Sequence, residues 1–111
     1  MTATWPPPPD LASIKELVRD ADIEGFIASG SPTDEYDTEA EELFKAIQHF
    51  ATKELVPVRL MPILKRIWAV SFNVSGDELL SRQPALDTLA NQIARFFGPE
   101  ATPQVRSSLS S

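Results

Sequence analysis

The sequence contains no cysteine, which excludes a disulfide framework, a thiolate zinc centre, an iron–sulfur cluster and a cysteine nucleophile. Histidine occurs once, at His49, so His-rich metal sites are absent and only one imidazole base is on offer. There are four glycines, and none belongs to a phosphate-cradling loop. Long apolar runs are missing as well. The longest mostly apolar stretch, Leu60 to Val74, is broken by Lys65 and Arg66 and is too short to span a bilayer. Met1 to Asp10 has neither a basic residue nor an apolar run of signal-peptide length, so a cytoplasmic setting is expected. Asn73-Val74-Ser75 fits a glycosylation tripeptide, which has no use without export. Positive charge is in deficit, with 10 Lys plus Arg against 16 Asp plus Glu. The net charge of −6 opposes attraction to phosphate backbones and anionic lipid, so neither nucleic acid nor membrane is an expected partner.

What is present suffices for one domain, since 111 residues with 42% hydrophobic content supply a single core. Residues 1–9 form a Pro-rich tail in which Trp5 precedes Pro6 to Pro9, four prolines that favour polyproline II. That tail reads either as a ligand for an aromatic groove or as a stiff lead-in that stops the first helix from extending backward. Residues 99–111 mix Pro, Ser and Thr and are expected to be a disordered tail. Residues 10–98 between them are expected to be a single helical domain.

Helical periodicity dominates that domain. Asp10 is a fitting N-cap, and Leu11, Ile14, Leu17, Val18 and Ala21 make one apolar face. Asp22 to Gly30, bracketed by Gly25 and Gly30, reads as a short helix or a structured turn. Thr38 and Glu41 form a T-x-x-E capping-box pattern ahead of Ala40, Leu43, Phe44, Ile47, Phe50 and Ala51. This second helix is expected to end near Glu54, because Pro57 disfavours helix at Val56. From Trp68 to Val74 the pattern fits both helix and strand, and a helix over Pro62–Phe72 is favoured because short strands there have no partner. Ser75-Gly76-Asp77 reads as a turn before a short helical piece. A last helix from Pro84, with Leu86, Leu89, Ala90, Ile93, Phe96 and Phe97, is stopped by Gly98 and Pro99. The expected fold class is all-α, a small bundle of about four helices.

Charge is distributed unevenly. Asp10 to Glu42 holds eleven acids and two bases, a balance of −9, whereas Leu43 to Ser111 carries +3. Six of the acids, Asp34, Glu35, Asp37, Glu39, Glu41 and Glu42, fall within nine residues. Three readings of this cluster stand. Acids at a helix N-terminus complement the helix dipole by about 0.3–1 kcal/mol each. An acidic surface also raises the rate and specificity of docking with a basic partner. Clustered carboxylates are, thirdly, hard ligands for a divalent cation, although this spacing does not fit the twelve-residue calcium loop. The bases Arg59, Lys65 and Arg66, with Trp68 nearby, fall short of a nucleic-acid stripe and read better as an intramolecular or intersubunit complement to the acids.

Catalytic constellations are not found. At about 100° per residue His49 lies about 200° from Ile47, on the solvent side, with Lys45 and Lys53 as its helical neighbours and no carboxylate to orient it. Ser71, Ser75 and Ser81 lack nucleophile-elbow glycines. The carboxylates cluster in one polar segment rather than across a pocket. No enzyme activity, cofactor or dedicated metal site is therefore expected.

The run Asp22-Ile23-Glu24-Gly25-Phe26, followed by Gly30-Ser31-Pro32-Thr33-Asp34-Glu35-Tyr36, resembles a small bacterial family of unknown function, the YugE-like family. Its members carry Asp-Pro-x-Gly-Leu and then Gly-Ala-Pro-x-Asp-Glu-Tyr ahead of an acidic helix. Asp22, Gly25, Gly30, Pro32, Asp34, Glu35 and Tyr36 match, while Ile23, Phe26 and Ser31 depart from the pattern. The resemblance covers under a fifth of the chain and implies a small helical fold without a catalytic set. The same residues make sense as a fixed connector, with Tyr36 packed on the bundle end and its hydroxyl outward. The expected function is a non-enzymatic, acidic protein-interaction module, immunity- or inhibitor-like, that binds a basic surface on a protein partner through Asp34, Glu35, Tyr36, Asp37, Glu39 and Glu42. Alternatives are a divalent-cation protein using segment 34–42 and a self-associating structural protein. Phe26, Trp68, Phe72 and Phe96 exceed what a small bundle must bury, which leaves a homodimer open.

Overall fold

Asp10 opens the first helix in the expected manner. Its backbone is extended and its carboxylate accepts the Ser13 N–H at 2.9 Å, satisfying one of the orphan donors of α1 (Leu11–Ala21). Ile14, Leu17 and Val18 of that helix are buried. Asp22 then takes a left-handed backbone, φ +41°, and ends it. The computed structural model describes residues 8–32, 34–99 and 101, so nearly all of both expected tails lies outside the described residues. Asp22 to Gly30 is a structured turn, reversed at Gly25 (φ +75°) and Gly30 (φ +103°), where a β-carbon would be strained.

The remaining helices are α2 (Asp37–Ile47), α3 (Pro57–Ser71) and α4 (Gly76–Phe97), with one 3-10 turn at Thr52–Glu54. Among the described residues there is no strand, and the fold is an all-α bundle of four helices. Several boundaries differ from expectation. The second helix begins at Asp37 with Tyr36 as its cap and no side-chain cap bond, so the T-x-x-E pair at Thr38 and Glu41 is already inside the helix. Burial of the Tyr36 ring sets that start. The helix also stops at Ile47 rather than near Glu54. Pro57 is the first residue of α3, so the chain must reverse between residues 48 and 56, and the 3-10 turn does so.

Helix α3 starts five residues earlier than expected and carries Pro62 inside it. Helix α4 runs unbroken for 22 residues through Pro84, joining what the sequence suggested were a turn, a short piece and a last helix. Both internal prolines are exposed. Each removes one i→i−4 bond, on the solvent side where water can serve the freed carbonyl, and neither disturbs packing. The working capping box belongs to α4. The Ser75 hydroxyl accepts the Glu78 N–H at 3.2 Å, and the Glu78 carboxylate accepts the Ser75 N–H at 2.8 Å.

Helix α1 packs against α2 and α4, and α3 packs against the same two, which puts α1 and α3 on a diagonal. Between them lie Ile14, Val18, Ala40, Leu43, Ile47, Leu60, Leu64, Leu86, Leu89 and Ile93, all essentially inaccessible to solvent. Each buried Leu or Ile contributes about 1.5–3 kcal/mol relative to exposure. Three of the four surplus aromatics are absorbed at one end of the bundle, while Phe96 packs edge-on against Phe97 in α4. Tyr36 and Trp68 are 1% exposed, and Phe26 and Phe72 pack against them with ring centroids 5.2–6.3 Å apart. Gly98 ends α4 with an ordinary extended backbone. Its need for glycine is steric, because a β-carbon would collide with the carbonyls of Leu55 and Ala94. No helix among the described residues is long and apolar enough to cross a membrane.

Candidate functional site

The polar interior is organised around two carboxylates of the 22–31 turn. Asp22 accepts the N–H groups of Ile27 (3.0 Å) and Ala28 (2.9 Å) and the Tyr36 hydroxyl (2.7 Å). The Tyr36 oxygen in turn accepts the Glu24 N–H at 3.0 Å. The hydroxyl thus points into the turn and not outward, which corrects the orientation expected from sequence. Burial tends to raise the Asp22 carboxyl, but the bonds from Tyr36, Ile27 and Ala28 outweigh it and hold the group below its ordinary value. Tyr36 moves the other way. Burial first, and then its bond to Asp22, push its hydroxyl up to about 12.

Glu24 ties the turn to the far side of the bundle. Its carboxylate, whose side chain is 8% exposed, accepts the Arg82 guanidinium through Nε (3.0 Å) and Nη2 (2.9 Å), and the Trp68 indole N–H at 2.9 Å. The Arg82 bond, helped by Trp68, overcomes desolvation and keeps Glu24 below its usual range. This bidentate geometry is the strong form of a carboxylate contact. Both turn carboxylates are held ionised, and the one nearby phenol is held neutral, so none is poised to exchange a proton near neutral pH. Trp68 therefore serves the core, not a surface patch with Arg59, Lys65 and Arg66.

The acidic segment divides into structural and exposed members. Tyr36 and Glu39 are buried, at 1% and 7% exposure. One Glu39 oxygen is enclosed without a hydrogen-bond partner. Asp37 and Glu41 flank Lys15 of α1, at 3.5 and 3.7 Å. Glu42 lies 3.9 Å from Lys45. Asp34 and Glu35 are exposed in the turn that precedes α2, held there through backbone bonds such as Asp37 N–H to Asp34 O at 3.1 Å. Their side chains make no ion pair or hydrogen bond among the described residues. The structure thus keeps Asp34 and Glu35 on an accessible edge ahead of α2, leaves Asp37 on the α1 side and Glu42 on the α3 side of that helix, and withdraws Tyr36 and Glu39. No group of three or more His, Asp or Glu side chains among the described residues is placed to hold a metal ion.

A second surface was not foreseen from the sequence. An open groove of about 490 Å³ runs between α2 and α3, lined by Glu42, Lys45, Ala46, Arg66, Ile67 and Val70 among others. Val70 is 78% exposed beside it. Residues from two helices make this groove, and only their neighbouring placement reveals it. The exposed His49 lies beyond the end of α2, apart from the groove. No protein-family model, curated protein or solved structure matches the chain.

Proposed function

We propose that the protein is a non-enzymatic interaction module whose acidic edge, Asp34 and Glu35, binds a basic surface of a protein partner, with an immunity or inhibitor role as the concrete form. The observation that carries this reading is the position of Asp34 and Glu35. Both stand outside α2, cap no N–H group with their side chains and pair with no base among the described residues. Helix-dipole stabilisation acts mainly within the first turn, so it accounts for Asp37 and Glu39 but leaves these two unexplained. Exposed acids of this kind steer a basic partner and favour it over wrong ones.

The test compares wild type with an Asp34→Asn, Glu35→Gln variant as affinity baits in native lysate at low and high salt. Asp37 is left intact because it bridges to Lys15. The expected outcome is a protein partner captured by wild type and lost both in the variant and at high salt, with an unchanged melting temperature. Capture that is indifferent to the substitutions, or a large fall in melting temperature, sinks the reading.

A further inference from the structure

The basic residues of α3 have no acidic counterpart within their own helix. Over Pro57–Ser71 the helix carries Arg59, Lys65 and Arg66 and no Asp or Glu, whereas α1, α2 and α4 all contain acids. Arg59 reaches Glu54 at 3.1 Å, but no ion pair among the described residues joins Lys65 or Arg66 to an acid. The exposed residues Val58, Pro62, Arg66 and Val70 recur every four positions and so share one outward stripe, about 18 Å long at 1.5 Å per residue. Val58 and Val70 are 76% and 78% exposed, two of the three large hydrophobic side chains that stand in solvent among the described residues. Towards α2 this stripe forms a wall of the groove, whose floor is Ala46 and Ile67 and whose rim carries Lys45 and Arg66 against the single acid Glu42.

We propose that this groove and the adjoining α3 stripe receive Asp34 and Glu35, the exposed acids ahead of α2, from a second copy of the same chain. The proposal rests on the reading of that acidic edge as an interaction surface and names its partner. Charge complementarity is the argument. Among the described residues the side chains of Asp34 and Glu35 have no partner, that of Arg66 at the groove has none either, and no bond joins the two acids to Arg66 although they belong to one small bundle. An edge-to-groove contact satisfies the acids and Arg66 together and covers Val70. Edge and groove are different surfaces, so the assembly closes as a dimer where two copies exchange the contact about a two-fold axis, and otherwise continues head to tail until a ring closes or copies run out. A chain of net charge −6 repels itself in most other orientations, which leaves this one favoured.

Sedimentation velocity over a concentration series, at about 20 mM and about 500 mM salt, tests the proposal across weak and nearly complete screening. Wild type is expected to gain mass with concentration at low salt and to lose that gain at high salt. Two charge-reversed variants, Asp34→Lys with Glu35→Lys and Arg66→Glu with Val70→Glu, are each expected to stay monomeric, with circular dichroism melts to verify folding. Mixing the two should restore association at equal stoichiometry, since the reversed edge meets the reversed groove and the native edge of one variant meets the native groove of the other. A monomeric wild type at every concentration, association that survives either variant, or a mixture that stays monomeric overturns the proposal. If wild type is monomeric yet the edge variant still loses its lysate partner, the acidic-edge reading stands and only the identity of the partner falls.

Discussion

Tyr36 is the residue on which the turn depends, and its removal can be made almost isosteric. Tyr36→Phe keeps the ring between Phe26 and Trp68 and deletes only the hydroxyl, leaving the Glu24 N–H without its acceptor and Asp22 without one donor. A loss of about 1–3 kcal/mol is expected, read as a melting temperature lower by roughly 4–8 °C per kcal/mol for a domain of this size. The pH dependence has two limbs with opposite signs. Asp22 and Glu24 titrate lower in the folded chain than when free, so folding favours their ionised forms. Their contribution is complete above about pH 5 and is lost as pH falls through the lower folded values. Tyr36 titrates higher, near 12, so folding favours its neutral form and stability declines as pH rises from about 10 towards 12. Denaturant midpoints measured across pH should flatten at the acid end in Glu24→Gln and at the alkaline end in Tyr36→Phe. The distinctive residues of segment 22–36 are in part the ones this turn consumes: Asp22 and Tyr36 by hydrogen bonding, Gly25 and Gly30 by backbone conformation.

At the scale of elements, sequence pattern located the helices better than their ends. The buried faces of α1 and α2 and the latter half of α4 follow the expected apolar positions, because burial obeys helical period whatever the exact boundary. The ends depended on tertiary demands that the local pattern does not carry. Thr38-x-x-Glu41 and Ser75-x-x-Glu78 are the same motif, yet only the second is a capping box, because burial of Tyr36 starts α2 before Thr38 can act as cap. Ser75→Ala should therefore cost about 1 kcal/mol, while Thr38→Ala should leave the thermal melt within experimental error. Gly98→Ala makes a complementary test. Its β-carbon meets backbone rather than a movable side chain, so a loss of about 1–3 kcal/mol is expected from overpacking. The internal prolines misled for a related reason: Pro62 and Pro84 read as helix starts, but their outward placement lets the helix pass through them.

For the whole molecule, the accessible acids were legible in the sequence, and the surfaces and clasps built across helices were not. Counting charges finds the −9 segment but does not say that Glu24 will meet Arg82, 58 positions away, or that α2 and α3 will enclose a groove. Those facts follow from which helices are neighbours. The same charge map predicts a response to salt. Repulsion among the exposed members of the acidic edge is screened more readily than the largely enclosed Glu24–Arg82 pair. Raising ionic strength from about 20 to about 500 mM should therefore raise the melting temperature of the monomer by a few degrees, as followed by circular dichroism at micromolar protein. A fall instead would show that surface ion pairs such as Lys15 with Asp37 dominate.

The two carboxylates of the turn also differ in how far along the chain they reach. Asp22 bonds to groups no more than 14 positions away, whereas Glu24 bonds to Trp68 and Arg82, 44 and 58 positions on. Closing the shorter loop costs less chain entropy, so the α1–turn–α2 hairpin is placed to form early and the Glu24 clasp to close late. In stopped-flow experiments Tyr36→Phe should chiefly slow refolding, and Glu24→Gln should chiefly speed unfolding. One short turn would then govern both how quickly the native state is reached, through the Asp22–Tyr36 bond, and how long it lasts, through Glu24 two residues after Asp22.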